Sequence, residues 1–426
     1  MTRPAASPAL AWLRDARWLT AKRAAVYGGL LGLVPAAYFA VGVLRVVHDA
    51  GPGGATDFLG FYAASTQALL GEAAAAWNPG LHAAAQQAVM PSGDFPYFYP
   101  PPFLLLTSPL ALAPYKVAFS VWMLLTIGLC LFALLRYRAG PWPAILAICL
   151  LAPAAVIAVV TGQTAFLITA LFAAAGLLLD RRPALAGILV AGLAMKPQLG
   201  LVVLPALVAA RRWRTIAFAA FAGVIGVLAS GIGLGWASWP AFLSALSHAA
   251  SALHQGEIQR WQVQSVYGSM QLIGVPGGLA MAVQVLAGIA AVLAVLRVCA
   301  RRAGGRAEAS AMAAAAPLAT PYVFVADFTI LLLPLVWILS ESRRDGFLAW
   351  EKLALLAAYV APALSAYFGQ SFGMNIGPLA PLIMLAAVMR RAAATPQGTA
   401  KITAALASVD DAAGSTATSP ARSAAS

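Results

Sequence analysis

Four residues of this 426-residue chain carry charge where their surroundings are apolar or aromatic, and each suggests a chemical task. Asp57 opens the run Asp57-Phe58-Leu59-Gly60-Phe61-Tyr62. A carboxylate there can take a proton from a hydroxyl if apolar neighbours raise its pKa and the hydroxyl comes within hydrogen-bond reach; the plainer reading is a solvated loop acid or a helix N-cap. Lys196 precedes Pro197, where a helix is expected to break and free backbone groups. An ammonium at such a break suits a phosphate as a point charge, or it snorkels to an interface. Arg260 is flanked by Gln259, Trp261, Gln262 and Gln264, a mixture that fits sugar hydroxyls and ring faces as well as an interfacial aromatic belt. Asp327 lies on the order of 9 Å below the outer end of its apolar segment, too deep to stand unpaired. Lys196 or a backbone end would serve as its partner, and a structural ion pair, a transport coupling site and a support for an active site all fit. His248 and His254 could meet a phosphate or move a proton, although lone histidines of this kind are more often bystanders.

The elements that must position these residues follow from composition. Hydrophobic residues make up 62% of the chain and charged residues 10%, against roughly 45–50% and 25% in a soluble domain. That excludes a soluble enzyme, a disulfide-stapled secreted domain and a disordered tail protein. Cys130, Cys149 and Cys299 lie singly in apolar runs, without metal-ligand or disulfide spacing. The net charge of +13 does not mark a nucleic-acid patch, because the basic residues cluster beside apolar segments: Arg14, Arg17, Lys22 and Arg23; Arg136 and Arg138; Arg181 and Arg182; Arg211, Arg212 and Arg214; Arg301, Arg302 and Arg306; Arg343 and Arg344; Arg390 and Arg391. Placing every cluster in the cytoplasm by the positive-inside rule predicts twelve crossings, at 25–47, 115–135, 143–160, 164–180, 184–195, 198–210, 215–235, 276–298, 309–320, 322–340, 353–369 and 375–390. Only Arg45, Lys116, Lys196 and Arg260 then fall at or beyond the outer boundary. Segments 184–195, 198–210 and 309–320 fall short of the roughly 20 residues a perpendicular span needs and read as re-entrant or broken helices. The Pro-rich run 98–114 is a possible further half-crossing. Residues 1–24 read as a basic cytosolic start leading into a retained signal anchor, and 391–426, rich in Ala, Ser and Thr, as a disordered cytosolic tail.

On this orientation the unexplained polar residues gather on the outer face. They occupy the loop 48–98, where segment 58–71 reads as an interfacial amphipathic helix, the turn Thr161-Gly162-Gln163-Thr164, the turn Met195-Lys196-Pro197-Gln198, the loop 236–275, Thr320-Pro321-Tyr322, and Gln370 to Asn375. Short turns set on rigid helices are where a membrane protein builds a site.

Read in order, these motifs resemble glycosyltransferase family 87, polyprenyl-phosphate-sugar-dependent enzymes of the GT-C fold typified by mycobacterial phosphatidylinositol-mannoside mannosyltransferases. The resemblance spans 25 to about 390. It rests on Asp57 near Tyr62 after a first helix, the aromatic-proline run from Tyr97 through Tyr99 to Phe103, Gly162-Gln163-Thr164, Asp180-Arg181-Arg182-Pro183 leading to Met195-Lys196-Pro197-Gln198, and Thr320-Pro321-Tyr322 with Asp327. It implies an all-α polytopic bundle with its active site facing the periplasm or cell exterior of a bacterial inner membrane. It further implies Asp57 as general base and Lys196 facing the phosphate of a polyprenyl-phosphate sugar, mannose by family habit, with a glycolipid or glycan hydroxyl as acceptor. Arg260 is a second candidate for the phosphate. Tyr62, Tyr97, Tyr99, Gln163, Gln198, His254, Trp261, Gln264 and Tyr322 are candidates for sugar, lipid or acceptor, and Asp327 for a supporting role. No cofactor, metal or nucleic-acid partner is expected. A transporter or lipid-linked-sugar flippase is the competing reading, since broken helices with Lys196 and Asp327 also suit alternating access; an inert envelope scaffold is a third.

Overall fold

The computed structural model describes residues 8–20, 57–255 and 260–394 together with Arg23, Ala37 and Val41, with side chains described outside 248–260. The expected first crossing at 25–47, the loop start at 48–56, the tail beyond Ala394 and the side chains of His248, His254 and Arg260 lie outside that description. The regular structure of the described residues is helical throughout.

Among the described residues five helices are long and apolar enough to cross a membrane: Tyr115–Leu135, Trp213–Leu234, Gly277–Ala300, Val325–Asp345 and Glu351–Phe372. A sixth span is formed if Trp142–Leu150 and Pro153–Thr161, bent by 64° at their junction, are counted as one. The expected twelve crossings therefore do not all appear as full-length spans. Pro153 breaks 143–160 because its ring and missing N–H end the preceding turn. Segment 164–180 is a helix of 14 residues, Ala165–Leu178, about 21 Å long and short of a hydrocarbon core of about 30 Å. Lys196 and Pro197 divide the next apolar stretch into Pro183–Met195 and Pro197–Ala209, as the sequence pattern anticipates.

The largest departure is at 309–320. A helix forms at Gly305–Ala315, but it is enclosed on all sides rather than facing lipid. Its alanines let neighbours approach closely: a β-carbon on Gly176 would stand 2.5 Å from the Ala309 β-carbon, and one on Gly305 would stand 2.7 Å from that of Leu179. Small residues at such a crossing supply the van der Waals packing that replaces the hydrophobic effect inside a membrane. The outer helices show the opposite arrangement. Phe218, Phe221, Ile225, Leu228 and Ile232 on Trp213–Leu234, and Leu286, Ile289 and Leu293 on Gly277–Ala300, point away from the protein. This apolar exterior identifies a membrane protein.

The basic clusters meet at one end of the bundle. Arg212 pairs with Glu308 and Asp180, whose other carboxylate oxygen accepts from the Gly305 N–H. Arg306 lies over the Tyr137 ring, and the Tyr137 carbonyl accepts from Ser340. Trp350 N–H donates to the Arg14 carbonyl, and Arg391 is buried against Glu351. The last helix thus runs to Ala394 and takes Arg391 out of the expected tail.

Two segments expected as outer loops are largely helical. Residues 57–98 contain Asp57–Leu69, a 3-10 turn at Ala73–Trp77 and Pro79–Gln87, which Asn78 caps through its side-chain oxygen. Asp57–Leu69 is not the half-exposed amphipathic helix anticipated, since Phe58, Leu59, Phe61, Ala63, Ala64, Ser65 and Gln67 are all buried. Residues 236–275 form Ser238–Gln255, a 3-10 turn at Arg260–Gln262 and Val266–Leu272. The Pro-rich run becomes a short apolar helix, Pro101–Leu112.

Candidate active site

The site is assembled around the turn at Gly162. Helix Pro153–Thr161 ends there with φ +68°, Gly162 N–H bonding to the Val159 carbonyl and Gln163 N–H to that of Ala158. This is a Schellman ending, which favours glycine because it requires left-handed backbone. Glycine is required a second time. A β-carbon at 162 would stand 2.5 Å from that of Phe58, so only glycine lets the turn abut the start of Asp57–Leu69. The Trp122 indole N–H fixes the turn from the other side, donating to the Gly162 carbonyl at 2.9 Å.

Gln163 therefore projects directly at Asp57. Its Nε2 donates to Asp57 Oδ2, while its Oε1 accepts from Lys196 Nζ at 3.3 Å and from the Tyr99 hydroxyl at 3.4 Å. The same hydroxyl lies 3.4 Å from Thr164 Oγ1. Lys196 is buried and donates to Asp327 Oδ1 at 2.7 Å, with the Tyr99 ring centroid 6.0 Å from its ammonium. Asp327 uses its other oxygen to accept from the Phe324 N–H at 3.0 Å. Both partners proposed for Asp327, a lysine and a backbone end, are thus engaged at once. Two carboxylates, one ammonium, one amide and one phenol form a continuous network drawn from five separate elements.

Burial pushes the Asp57 pKa above the ordinary aspartate value; the Gln163 hydrogen bond and the Lys196 charge oppose the shift, and the Asp327 charge adds to it. Burial works against the charge on Lys196, but Asp327 beside it prevails and its pKa is raised. Asp57 carries aromatic packing beneath it: Phe58 against Phe119 and Phe61 against Tyr99, Phe103 and Trp122.

Other candidates lie elsewhere. Tyr97 is buried behind Tyr99, its ring against Trp77, His82 and Tyr99. His82 is held neutral by burial, which lowers its pKa to about 4. Tyr62 is turned away, its hydroxyl bonded to the Ala113 carbonyl at 3.0 Å. Gln198 is half-buried two residues past Lys196. Tyr322 is held through its backbone N–H to Thr320 Oγ1. Gln264 is occupied internally: Nε2 donates to the Trp261 carbonyl, Oε1 accepts from Ser365, and its N–H donates to the Val323 carbonyl. It ties the 260–265 segment to the strand of chain leading into Asp327. Among the described residues no three His, Cys, Asp or Glu side chains group as a metal site requires. Trp122, which fixes the Gly162 turn, sits in an ordinary apolar span and gives no local sequence signal.

Fold and site together define an α-helical membrane protein with a half-buried carboxylate and a buried cation joined across one amide. A profile of glycosyltransferase family 87 matches residues 97–321, more than half of the chain, and the protein belongs to that family. The match includes Tyr99, Gln163 and Lys196, with Asp57 before it and Asp327 just after. No curated protein and no solved structure matches the chain. The chain is thus a glycosyltransferase, and the transporter and scaffold readings give way to transfer.

Proposed function

We propose that the protein transfers a sugar from a polyprenyl-phosphate donor to a hydroxyl of a glycolipid or envelope-glycan acceptor, at the outer face of a bacterial inner membrane. The observation that carries this reading is the link from Asp57 through Gln163 to Lys196, which sets a base and a cation one amide apart. In a single displacement with inversion, the acceptor oxygen forms the new bond to the anomeric carbon and gives its proton to Asp57. The bond from that carbon to the phosphate oxygen breaks, and the phosphate leaves with the electron pair. Lys196 stabilises the charge that develops there, an electrostatic role that needs no redox cofactor. Asp327 supports it by keeping the ammonium charged and in place before donor arrives.

A shallow, open apolar groove lined by Leu201, Met281, Val285, Ile289, Leu293 and Pro321 lies on the outward face of Gly277–Ala300. A nucleotide sugar fits less well, because the sequence holds no Gly-rich nucleotide loop. Mannose is favoured by the family resemblance.

The test is transfer in lipid vesicles from radiolabelled polyprenyl-phosphate mannose to a membrane glycolipid extract, with wild type beside Asp57→Asn. Label in new glycolipid with wild type, and none with the variant, is expected. Absence of transfer from this and other polyprenyl-phosphate sugars would overturn the donor assignment.

A further inference from the structure

We infer that Gln163 is a positioning residue: its amide holds the Asp57 carboxylate and the Lys196 ammonium apart, and fixes which carboxylate oxygen meets the acceptor. The inference rests on the reading of Asp57 as base and deepens it.

The argument begins with the chemistry of the three groups. A lysine ammonium only donates hydrogen bonds, and an ionised carboxylate only accepts them. An amide between them has one satisfactory orientation, Oε1 to the ammonium and Nε2 to the carboxylate, and that is the orientation present. The Tyr99 hydroxyl reinforces it by donating to the same Oε1. Without the amide, opposite charges so close would attract into a direct ion pair. Such a pair would weaken Asp57 as a base and draw the cation away from a phosphate.

The amide is itself held. Its backbone leaves a glycine-terminated helix directly, the Trp122 indole grips the preceding carbonyl, and Phe58 closes the space where a side chain at 162 would sit. On the far side Asp327 anchors Lys196 at 2.7 Å, and Asp327 is anchored to the Phe324 N–H. Asp57 has a single hydrogen bond among the described residues, at Oδ2. Its Oδ1 is the oxygen left to accept an acceptor proton. The charged and titratable groups facing Asp57 are Lys196, Asp327 and Tyr99, and none of them donates to it directly.

The competing description is that Gln163 binds sugar, or simply fills a polar gap. Three variants of the full-length enzyme in vesicles separate these: Gln163→Met, Gln163→Glu and, as control, Asp57→Asn. Gln163→Met keeps the side-chain length and removes both polar ends. Its kcat should fall roughly 10- to 100-fold, the span for a lost hydrogen bond to a charged group, with donor KM changed by less than about threefold. Because methionine still fills the space between the two charges and Asp327 still holds Lys196, no direct ion pair forms, the lost donor dominates, and the acidic limb of the pH profile should move up. Gln163→Glu keeps the acceptor toward Lys196 but sets a carboxylate against Asp57. It should likewise lose kcat at neutral pH and move the limb upward, although it is nearly isosteric and folds if the methionine variant does not. An unmoved limb in the glutamate variant, or a rise in KM at unchanged kcat in either, would overturn the positioning role; the KM result would favour sugar binding. Full activity in Asp57→Asn would instead overturn the reading of Asp57 as base, whatever the Gln163 variants do.

Discussion

Replacing Asp57 by Asn should separate activity from stability in opposite directions. The substitution keeps size and leaves an oxygen to accept from Gln163 Nε2, but removes the proton acceptor. Loss of a general base lowers the rate on the order of 10²- to 10⁴-fold. Stability should move the other way. Asp57 has a folded-state pKa raised above 3.8, chiefly by burial. Between 3.8 and that higher value the folded protein retains a proton that the unfolded chain releases, so stability falls as pH rises through this window. Above the window the ionised carboxylate subtracts about 1.4 kcal/mol for each unit of upward shift. Asparagine carries no such charge. At neutral pH the variant should therefore unfold at the same temperature as wild type or higher, and this advantage should disappear below the ordinary aspartate range. Transfer in vesicles and thermal unfolding followed by tryptophan fluorescence in detergent measure the two quantities. Transfer within tenfold of wild type would refute Asp57 as base. A clear fall in unfolding temperature at neutral pH would refute the claim that the buried charge strains the fold.

Asp327→Ala should destabilise the protein by about 3–5 kcal/mol, because it leaves the buried Lys196 ammonium without its carboxylate and frees the Phe324 N–H. Pairing it with Lys196→Met should cost less than the sum of the two single changes, and equal costs in a double-mutant unfolding cycle would show the pair to be uncoupled. Lys196→Met alone should abolish transfer, whereas Lys196→Arg should restore little of it, since a guanidinium does not fit the same point-charge position; initial rates at saturating donor test this. Gly162→Ala should lose both stability and activity, as its β-carbon would meet Phe58 at 2.5 Å in a left-handed turn and push Asp57 from Gln163; wild-type rates in that variant would contradict the close fit. At the opposite end, Arg212→Ala should lower unfolding temperature through the buried Glu308 while leaving the donor KM unchanged.

Much of the membrane character was legible in the chain itself. Hydropathy and basic clusters alone marked a membrane protein, and the spans 115–135, 215–235, 276–298 and 353–369 lie within a few residues of the helices found. Asp57, Gln163, Lys196 and Asp327 each stood out because a polar or charged group in apolar or turn sequence needs a reason, and a cation before proline needs two. Their mutual arrangement was not legible. Asp57 and Gln163 are 106 positions apart and Lys196 and Asp327 131 apart, and no local rule of propensity or periodicity carries information over such separations. The short length of Ala165–Leu178 escaped the sequence, because a helix shorter than the hydrocarbon core is stable in a membrane only when protein rather than lipid satisfies its ends. The alanine-rich segment 309–320 reads as a short, broken crossing by hydropathy, yet the helix that covers its first half, Gly305–Ala315, is a buried strut because its small side chains admit neighbours closely. Gln264 and Tyr62 illustrate the same limit: their types suit sugar binding, but packing assigns their hydrogen bonds to Ser365, Trp261 and Ala113. Residue type determined which groups are costly to leave unpaired in an apolar setting. Only tertiary packing decided which of them meet, because that depends on the close approach of helix backbones at positions such as Gly162 and Gly176.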